Sequence, residues 1–429
     1  MRFVIYEEPA EARLRPLTWL RPASSLLLGA ETTESRWRRL VQPHAVAVAC
    51  RPSLVPLGPG RTPLPEAWSA RGPEEIWVSG RVLPDPELVR TLLDLPPGSA
   101  LYAEPEGDGP HAEESVAAPG PATPGGMGPE EVPGRIAFRP AGSGSGPEPD
   151  TRAAQPFSRP VRCRRILGLA DLIRHHEELL PADLERLMES MPPPVAAGDG
   201  HAYGLDRVRL GAETTVDHGA VIDAREGPVV LGPCCRVFPH TWIRGPFVAG
   251  EGCLLLGGRI GSGTSLGPGC RVHGEVEASV FLGRDNKAHD GFVGHSYLGE
   301  WVNLGAFTTT SDLKNNYSPI VLEREGTREP TGLRKLGVFF GDHVKTRIGA
   351  LLGCGTILGV GVNLIGDPAV TDKWVRDFSW GWGPEAAEYA EDRFLRAAEI
   401  VLGRRNVPWS PEMASLLSEV HAATRRRMI

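Results

Sequence analysis

From about Val208 onward, apolar residues return every six positions, and few folds accept that period. Leu210, Val216 and Ile222 are six apart. After a short insertion Leu231, Val237, Ile243, Ala249 and Leu255 continue the spacing, and Ile260, Leu266 and Val272 resume it after one missing residue. Phe340, Thr346, Leu352, Leu358 and Leu364 carry it again late in the chain, with Thr346 as the one polar member. Six is neither the helical period nor strand alternation. It is the signature of a parallel β-helix, in which each short strand aims one apolar residue into a narrow interior. Three repeats close one triangular turn, and stacked turns hydrogen-bond about 4.8 Å apart. Glycine often follows the apolar residue, as in Leu231-Gly232 and Leu358-Gly359, where a small residue lets the chain turn the corner. The hexapeptide repeat therefore predicts a left-handed parallel β-helix over residues 205–383.

The chain has 429 residues, enough for two to three domains. Residues 1 to about 103 read as an α/β layout, with buried strands at Phe3-Val4-Ile5-Tyr6, Val46-Ala47-Val48-Ala49 and Ile76-Trp77-Val78. A helix opens at Pro86, with Asp85 as its cap. From about Glu104 to Ser158 glycine, proline, glutamate and serine dominate. Such a stretch buries too little apolar surface to offset its ordering entropy, so the segment is expected to be a disordered insertion. A helical pattern resumes at Ile166–Ile173. The α/β domain with its insertion is assigned to 1–200, and a helical cap of two helices to 384–429.

A net charge of −7 and the lack of a basic run interleaved with aromatics argue against a nucleic-acid partner. Seven scattered cysteines form no CxxC pair, which points to reduced thiols rather than a metal or disulfide framework. No apolar run is long enough to span a bilayer. A cytoplasmic protein with no membrane partner is the expectation.

The repeat breaks between Gly283 and Ser318, and breaks in a repeat mark loops on a working face. This one concentrates Lys287, His289, Asp290, His295, Asn303, Lys314, Asn315, Asn316 and Tyr317. The segments NKAHDGFVGHSYLGEWVNLGA, SDLKNNY and FGDHVKTRIG, with LRPLTWLRP and SGRVLPDPELV nearer the start, resemble a known family. It is the bifunctional N-acetylglucosamine-1-phosphate uridylyltransferase/glucosamine-1-phosphate acetyltransferase family, in a divergent bacterial branch described as sugar nucleotidyltransferases. The resemblance covers nearly all of the chain outside 104–158.

The resemblance implies an acetyl-CoA-dependent N-acetyltransferase acting on a hexosamine 1-phosphate. His289 matches the catalytic base, a role suited to an imidazole that titrates near neutrality. Asn303 matches a sugar contact, and Gly305-Ala306 the region of the CoA arm, with backbone N–H groups near Gly305 as oxyanion donors. Asn316 and Tyr317 resemble an Asn-Tyr pair that binds sugar, although the spacing from Ala306 is longer here. Arg259 and Lys287 are candidates for the sugar phosphate; Lys345 and Arg347 for the CoA phosphates. Each of these polar residues also reads as an ordinary solvated loop residue. Two positions depart from the family: Ala278 replaces a lysine and Phe292 a tyrosine, and Glu277 beside Ala278 repels phosphate.

The first domain lacks the Gly-rich nucleotide loop of uridylyltransferases. Ser79-Gly80-Arg81 follows the strand where a metal-binding Asp is expected. Arg15 and Arg21 in LRPLTWLRP are the candidates for nucleotide phosphate. Nucleotidyl transfer with UTP and Mg2+ is implied by resemblance alone, as is a homotrimer. Two other readings stay open: a sugar-nucleotide-binding scaffold with a degenerate first domain, and a metal hydratase on the same coil using His289, His295 and His343.

Overall fold

The computed structural model describes residues 1–64, 74–97, 99–103, 135–139, 161–193, 198–367, 369–370 and 372–425. They form two compact units. One comprises Met1–Leu14, Arg21–Leu26 and Thr32–Gly168; the other Arg15–Leu20, Leu27–Glu31 and Leu169–Ile429.

The first unit is an open α/β sheet. Strand β1 (Arg2–Tyr6) lies at its centre, parallel to β2 (Ala45–Cys50) on one side and to β4 (Glu75–Ser79) on the other. Strand β3 (Arg61–Pro63) continues parallel beyond β2. Strands β5 (Ala100–Tyr102) and β6 (Arg135–Phe138) extend the far side antiparallel. Phe3, Val4 and Ile5 are buried on both faces, as a central parallel strand requires. Helix α1 spans Thr33–Leu40 and α2 spans Pro86–Leu93. Asp85 caps α2 as the sequence predicts, accepting from the N–H groups of Glu87 and Leu88. The segment 104–158 was expected to be disordered throughout, and β6 corrects that: Ile136 and Ala137 are buried, and Phe138 stacks on Trp77 at 6.1 Å. A four-residue apolar run inside Gly/Pro-rich text can pair with a sheet edge that composition alone does not reveal. Apart from Arg139, the rest of that segment lies outside the described residues.

The second unit is a three-sided parallel β-helix. Strands of the first face run from His201–Tyr203 to Phe292–Gly294 and stack in parallel register. The second face is the longest, with nine strands from Val208–Leu210 to Trp374–Val375. The third begins at Thr215–Val216 and passes through Asn286–Lys287. Val216, Ile222, Leu231, Val237, Ile243, Ala249, Leu255, Ile260, Leu266 and Val272 form one buried interior column set, as the six-residue period predicts. Phe340, Leu352, Leu358 and Leu364 continue it. Thr346 is buried too, and its hydroxyl accepts from the Gly305 N–H and bonds Thr308 Oγ1. A polar side chain fits a dry interior when its hydrogen bonds are made.

Helix α3 (Leu169–Ser190) packs on the second face, burying Leu180 and Leu184 against Val230 and Val248. Its Pro181 lies within the helix. Helices α4 (Glu391–Gly403) and α5 (Pro411–Arg425) form the C-terminal cap. They lie along the side of the coil rather than over its open end: Phe394 meets Phe378 of the last turns edge-on at 4.9 Å, and Arg405 donates to the Gly269 carbonyl, several rungs earlier, at 3.0 Å. No helix among the described residues is long and apolar enough to cross a membrane.

Candidate active site on the coil

The break in the repeat has a definite geometry. Val272 pairs with Lys287 and Glu275 with Phe292 on adjacent rungs. Between these partners the earlier rung has two residues, His273 and Gly274. The later rung has four, Ala288 to Gly291. The corner swells, and the extra residues carry His289 and Asp290 into solvent.

Lys287 holds this corner from within. It occupies an inward position, beside Val272, and is 2% exposed. Its Nζ curls to the corner and donates to the carbonyls of His273 at 2.6 Å and His289 at 2.8 Å. Burial pushes its pKa down to about 8, against the charges of Asp290 and Glu275. Gly274 makes the clamp fit. Its φ is +81°, and a Cβ there would stand 2.8 Å from Lys287 Nζ and 3.0 Å from the His289 oxygen. His273 is a second imidazole at the corner, its Nδ1 3.3 Å from Asp290 Oδ1. Sequence reading did not single it out; the only signal is its phase, one rung before His289 in the stack.

The third face next to this corner carries an outward polar ladder. Arg271, Asn286, Asn303, Lys345 and Asn363 follow one another in register. Asn286 donates to Asn303 Oδ1 at 2.9 Å, which turns the Asn303 amide N–H2 outward. Gly305 and Ala306 turn the next corner. The Gly305 N–H is occupied by Thr346 Oγ1, and a Cβ at Gly305 would meet the Arg347 backbone at 2.6 Å. Burial lowers the Lys345 pKa. Arg347 folds back, donating to the carbonyls of Ile348 (3.0 Å) and Gly366. His289, Asn303, Gly305, Ala306 and Lys345 therefore stand on neighbouring rungs of one corner.

Arg259 stands on the first face, in register with Glu275 and, through it, Phe292. Ala278 is a buried corner residue with φ of 46°, so no cation rises there. Asn316 and Tyr317 sit on the loop 311–337, whose hairpin pairs Val321–Arg324 with Thr327–Pro330. Asn316 Oδ1 accepts from the Ser318 N–H and hydroxyl, and Tyr317 is 66% exposed. Among the described residues neither contacts His289. The loop is pinned elsewhere: His295 Nδ1 is 2.7 Å from Asp312 Oδ2.

The three histidines of the hydratase reading occupy three different corners. His289 joins the third and first faces, His295 the first and second, and His343 the second and third. His343 is buried between Trp301 and Phe394. Among the described residues no group of three or more His, Cys, Asp or Glu is placed to hold a metal.

In the first unit the carboxyl ends of β1, β2 and β4 form the crevice where parallel α/β sheets bind ligands. Here Glu7 pairs with Arg51, and Glu8 with Arg81 at 3.1 Å and with the Ser79 hydroxyl. Glu11 is buried, accepts from the Ala23 N–H at 2.7 Å, and is pushed well above the usual carboxylate range by burial and by Glu7. Carboxylates held by guanidinium groups are a poor donor set for Mg2+, which prefers unpaired oxygens with several waters. Arg21 is buried in this unit. Arg15 belongs to the second, its guanidinium 3.7 Å from the Trp19 ring centroid.

Residues 3–119 match a sugar nucleotidyl transferase family. A bifunctional sugar-1-phosphate nucleotidylyltransferase/acetyltransferase of Sulfurisphaera tokodaii is 35% identical over 85 residues, 20% of this chain and 21% of that protein. The bifunctional protein GlmU of Methanococcus vannielii is 29% identical over 132 residues, 31% of this chain and 28% of that protein. GlmU of Methanocaldococcus jannaschii is 38% identical over 74 residues, 17% and 18% of the two chains. The matched segments thus span under a third of each relative.

Proposed function

We propose that the coil transfers an acetyl group from acetyl-CoA to the amine of a hexosamine 1-phosphate. His289 takes a proton from the amine as its nitrogen attacks the thioester carbonyl. The tetrahedral intermediate expels the CoA thiolate by breaking the C–S bond, and the proton returns to sulfur. The observation that carries this reading is the swollen corner: an exposed imidazole whose backbone is fixed by Lys287, beside a ladder of amide and ammonium groups. Because the Gly305 N–H is engaged, the Asn303 amide is the better oxyanion donor. Lys345 is the candidate for CoA phosphate from the same ladder. Gly305 and Ala306 would border the CoA arm, and Arg347 would need to leave its carbonyls to join it. Lys287 acts by shaping the corner rather than by meeting phosphate. Arg259, Asn316 and Tyr317 would contact the sugar end. A homotrimer in the cytoplasm fits the resemblance, and light scattering showing an active monomer would contradict it.

For the first unit the ion-paired crevice favours sugar-nucleotide binding without transfer, with Arg21 as the phosphate contact; Arg15 falls in the other unit and is not used there. Incubation of the full chain with UTP, Mg2+ and a panel of hexosamine phosphates tests this. Pyrophosphate release would restore nucleotidyl transfer. The acyl reading is tested with labelled acetyl-CoA against the same panel, and no acetylated product with any amino sugar would refute it.

A further inference from the structure

The outward side of the first face holds a ladder of which the acyl-transfer reading uses only Arg259. Trp242, Arg259, Glu275 and Phe292 follow in register on four successive rungs. Beside it runs a shallow cleft lined by Trp242, Arg244, Arg259, Ser262, Glu275 and Glu277. The Arg259 guanidinium lies 5.4 Å from the Trp242 ring centroid. Its Nη1 is 3.4 Å from Glu275 Oε1, and Arg244 Nε is 3.4 Å from Glu226 Oε2. Both pairs are well exposed, with side-chain exposures of 65% and 45%, and 38% and 65%. Exposed pairs contribute about 0–1 kcal/mol, so either guanidinium can exchange its carboxylate for a phosphate at little cost.

The position of these cations matters. Ala278, at the buried corner between the first and second faces, stacks on His295 and carries no charge. The arginines stand two or three rungs from the Phe292 strand that follows the catalytic corner. With about 4.8 Å per rung, the ladder from Phe292 to Trp242 spans about 14 Å. A hexosamine 1-phosphate does not fill that length. A hexosamine joined through a diphosphate to a nucleoside does. The cleft supplies matching chemistry in order: an indole face for a base, two guanidiniums for a diphosphate, and carboxylates that accept from sugar hydroxyls.

We infer that the acceptor is a nucleotide-linked amino sugar. Its amine lies at His289, its diphosphate over Arg259 and Arg244, and its base on Trp242. This inference rests on the acyl-transfer reading. It replaces the hexosamine 1-phosphate of that reading with its nucleotide-linked form, so a separate nucleotidyl transfer to the amino sugar must supply this substrate before acetylation.

The test offers UDP-glucosamine and glucosamine 1-phosphate, with acetyl-CoA, to the full-length protein. The expected kcat/KM is at least about tenfold higher for UDP-glucosamine. Trp242→Ala raises KM for UDP-glucosamine about tenfold and leaves glucosamine 1-phosphate unchanged, whereas Trp242→Phe keeps most of the preference. Melting curves of each variant check folding. Equal use of both acceptors, or a preference indifferent to Trp242, overturns the inference while the acyl-transfer reading stands. Calorimetry with UDP-glucosamine alone separates the two. Trp242-dependent binding without acetylation would uphold the cleft and refute acyl transfer.

Discussion

Lys287 Nζ donates to the carbonyl oxygen of His289 at 2.8 Å and to that of His273 at 2.6 Å, so one buried ammonium ties two rungs of the coil at the swollen corner. Replacing it with methionine keeps the volume and leaves two part-buried acceptors without their donor. A buried unsatisfied carbonyl costs about 1–3 kcal/mol. Lys287→Met should therefore lower the melting temperature by several degrees and reduce kcat more than it raises KM for acetyl-CoA. A fully active, equally stable variant would show that the clamp does not position His289.

Gly274→Ala attacks the same clamp from the other side. The new Cβ meets Lys287 Nζ at 2.8 Å, and φ of +81° disfavours any side chain. Backbone strain of this kind costs about 1–3 kcal/mol. Thermal denaturation should show that loss, whereas Gly252→Ala, at φ +69° with nothing within 4 Å, isolates the backbone term. Equal losses at the two sites would remove the Lys287 contact from the account.

His176 supplies the pH dependence. It is buried, accepts from the Gly29 N–H at Nδ1 (3.1 Å) and donates from Nε2 to the Gly263 carbonyl (2.9 Å). Burial lowers its pKa from 6.5 to about 4. Below 6.5 the unfolded chain binds this proton and the folded chain resists it. Stability from this group is therefore whole above pH 6.5 and is lost as pH falls toward 4, by about 3 kcal/mol at most. Melting temperatures of wild type and His176→Gln between pH 7.5 and 4.5 should converge as pH falls. Parallel curves would contradict the assignment.

His295 and Asp312 test the loop. Burial alone would raise the Asp312 pKa. The hydrogen bond from His295 and the charges of His295 and Lys335 outweigh it and hold the carboxyl below its usual range. Asp312→Ala should free the loop 311–337, speed proteolysis within it, and raise the sugar KM several-fold while kcat changes little. Unchanged protease sensitivity would sink this reading.

How much of this was legible in the sequence depends on what each residue faces. Leu231, Val237, Ile243, Ala249 and Leu255 could be placed because a strict six-residue phase allows one inward direction. Lys287 could not. Its phase relative to Val272 depends on corner length, and a lysine beside a histidine reads as a ligand contact until register shows it turned inward. The departures at Ala278 and Phe292 were visible as letters, but the corner that buries Ala278 and the outward stack of Phe292 on Glu275 and Arg259 were not. The strand Arg135–Phe138 was hidden by the composition around it. His273 gave no signal beyond its phase, since only the stack brings it to Asp290.

The most direct measurement is acetyl transfer by His289→Ala with melting temperature as the control. Because His289 is exposed at a corner, its side chain contributes little to packing, and the variant should melt within about 1 °C of wild type. The account predicts a fall in kcat of about 10²–10⁴-fold with an amino-sugar acceptor. A folded His289→Ala protein that acetylates at the wild-type rate would contradict it.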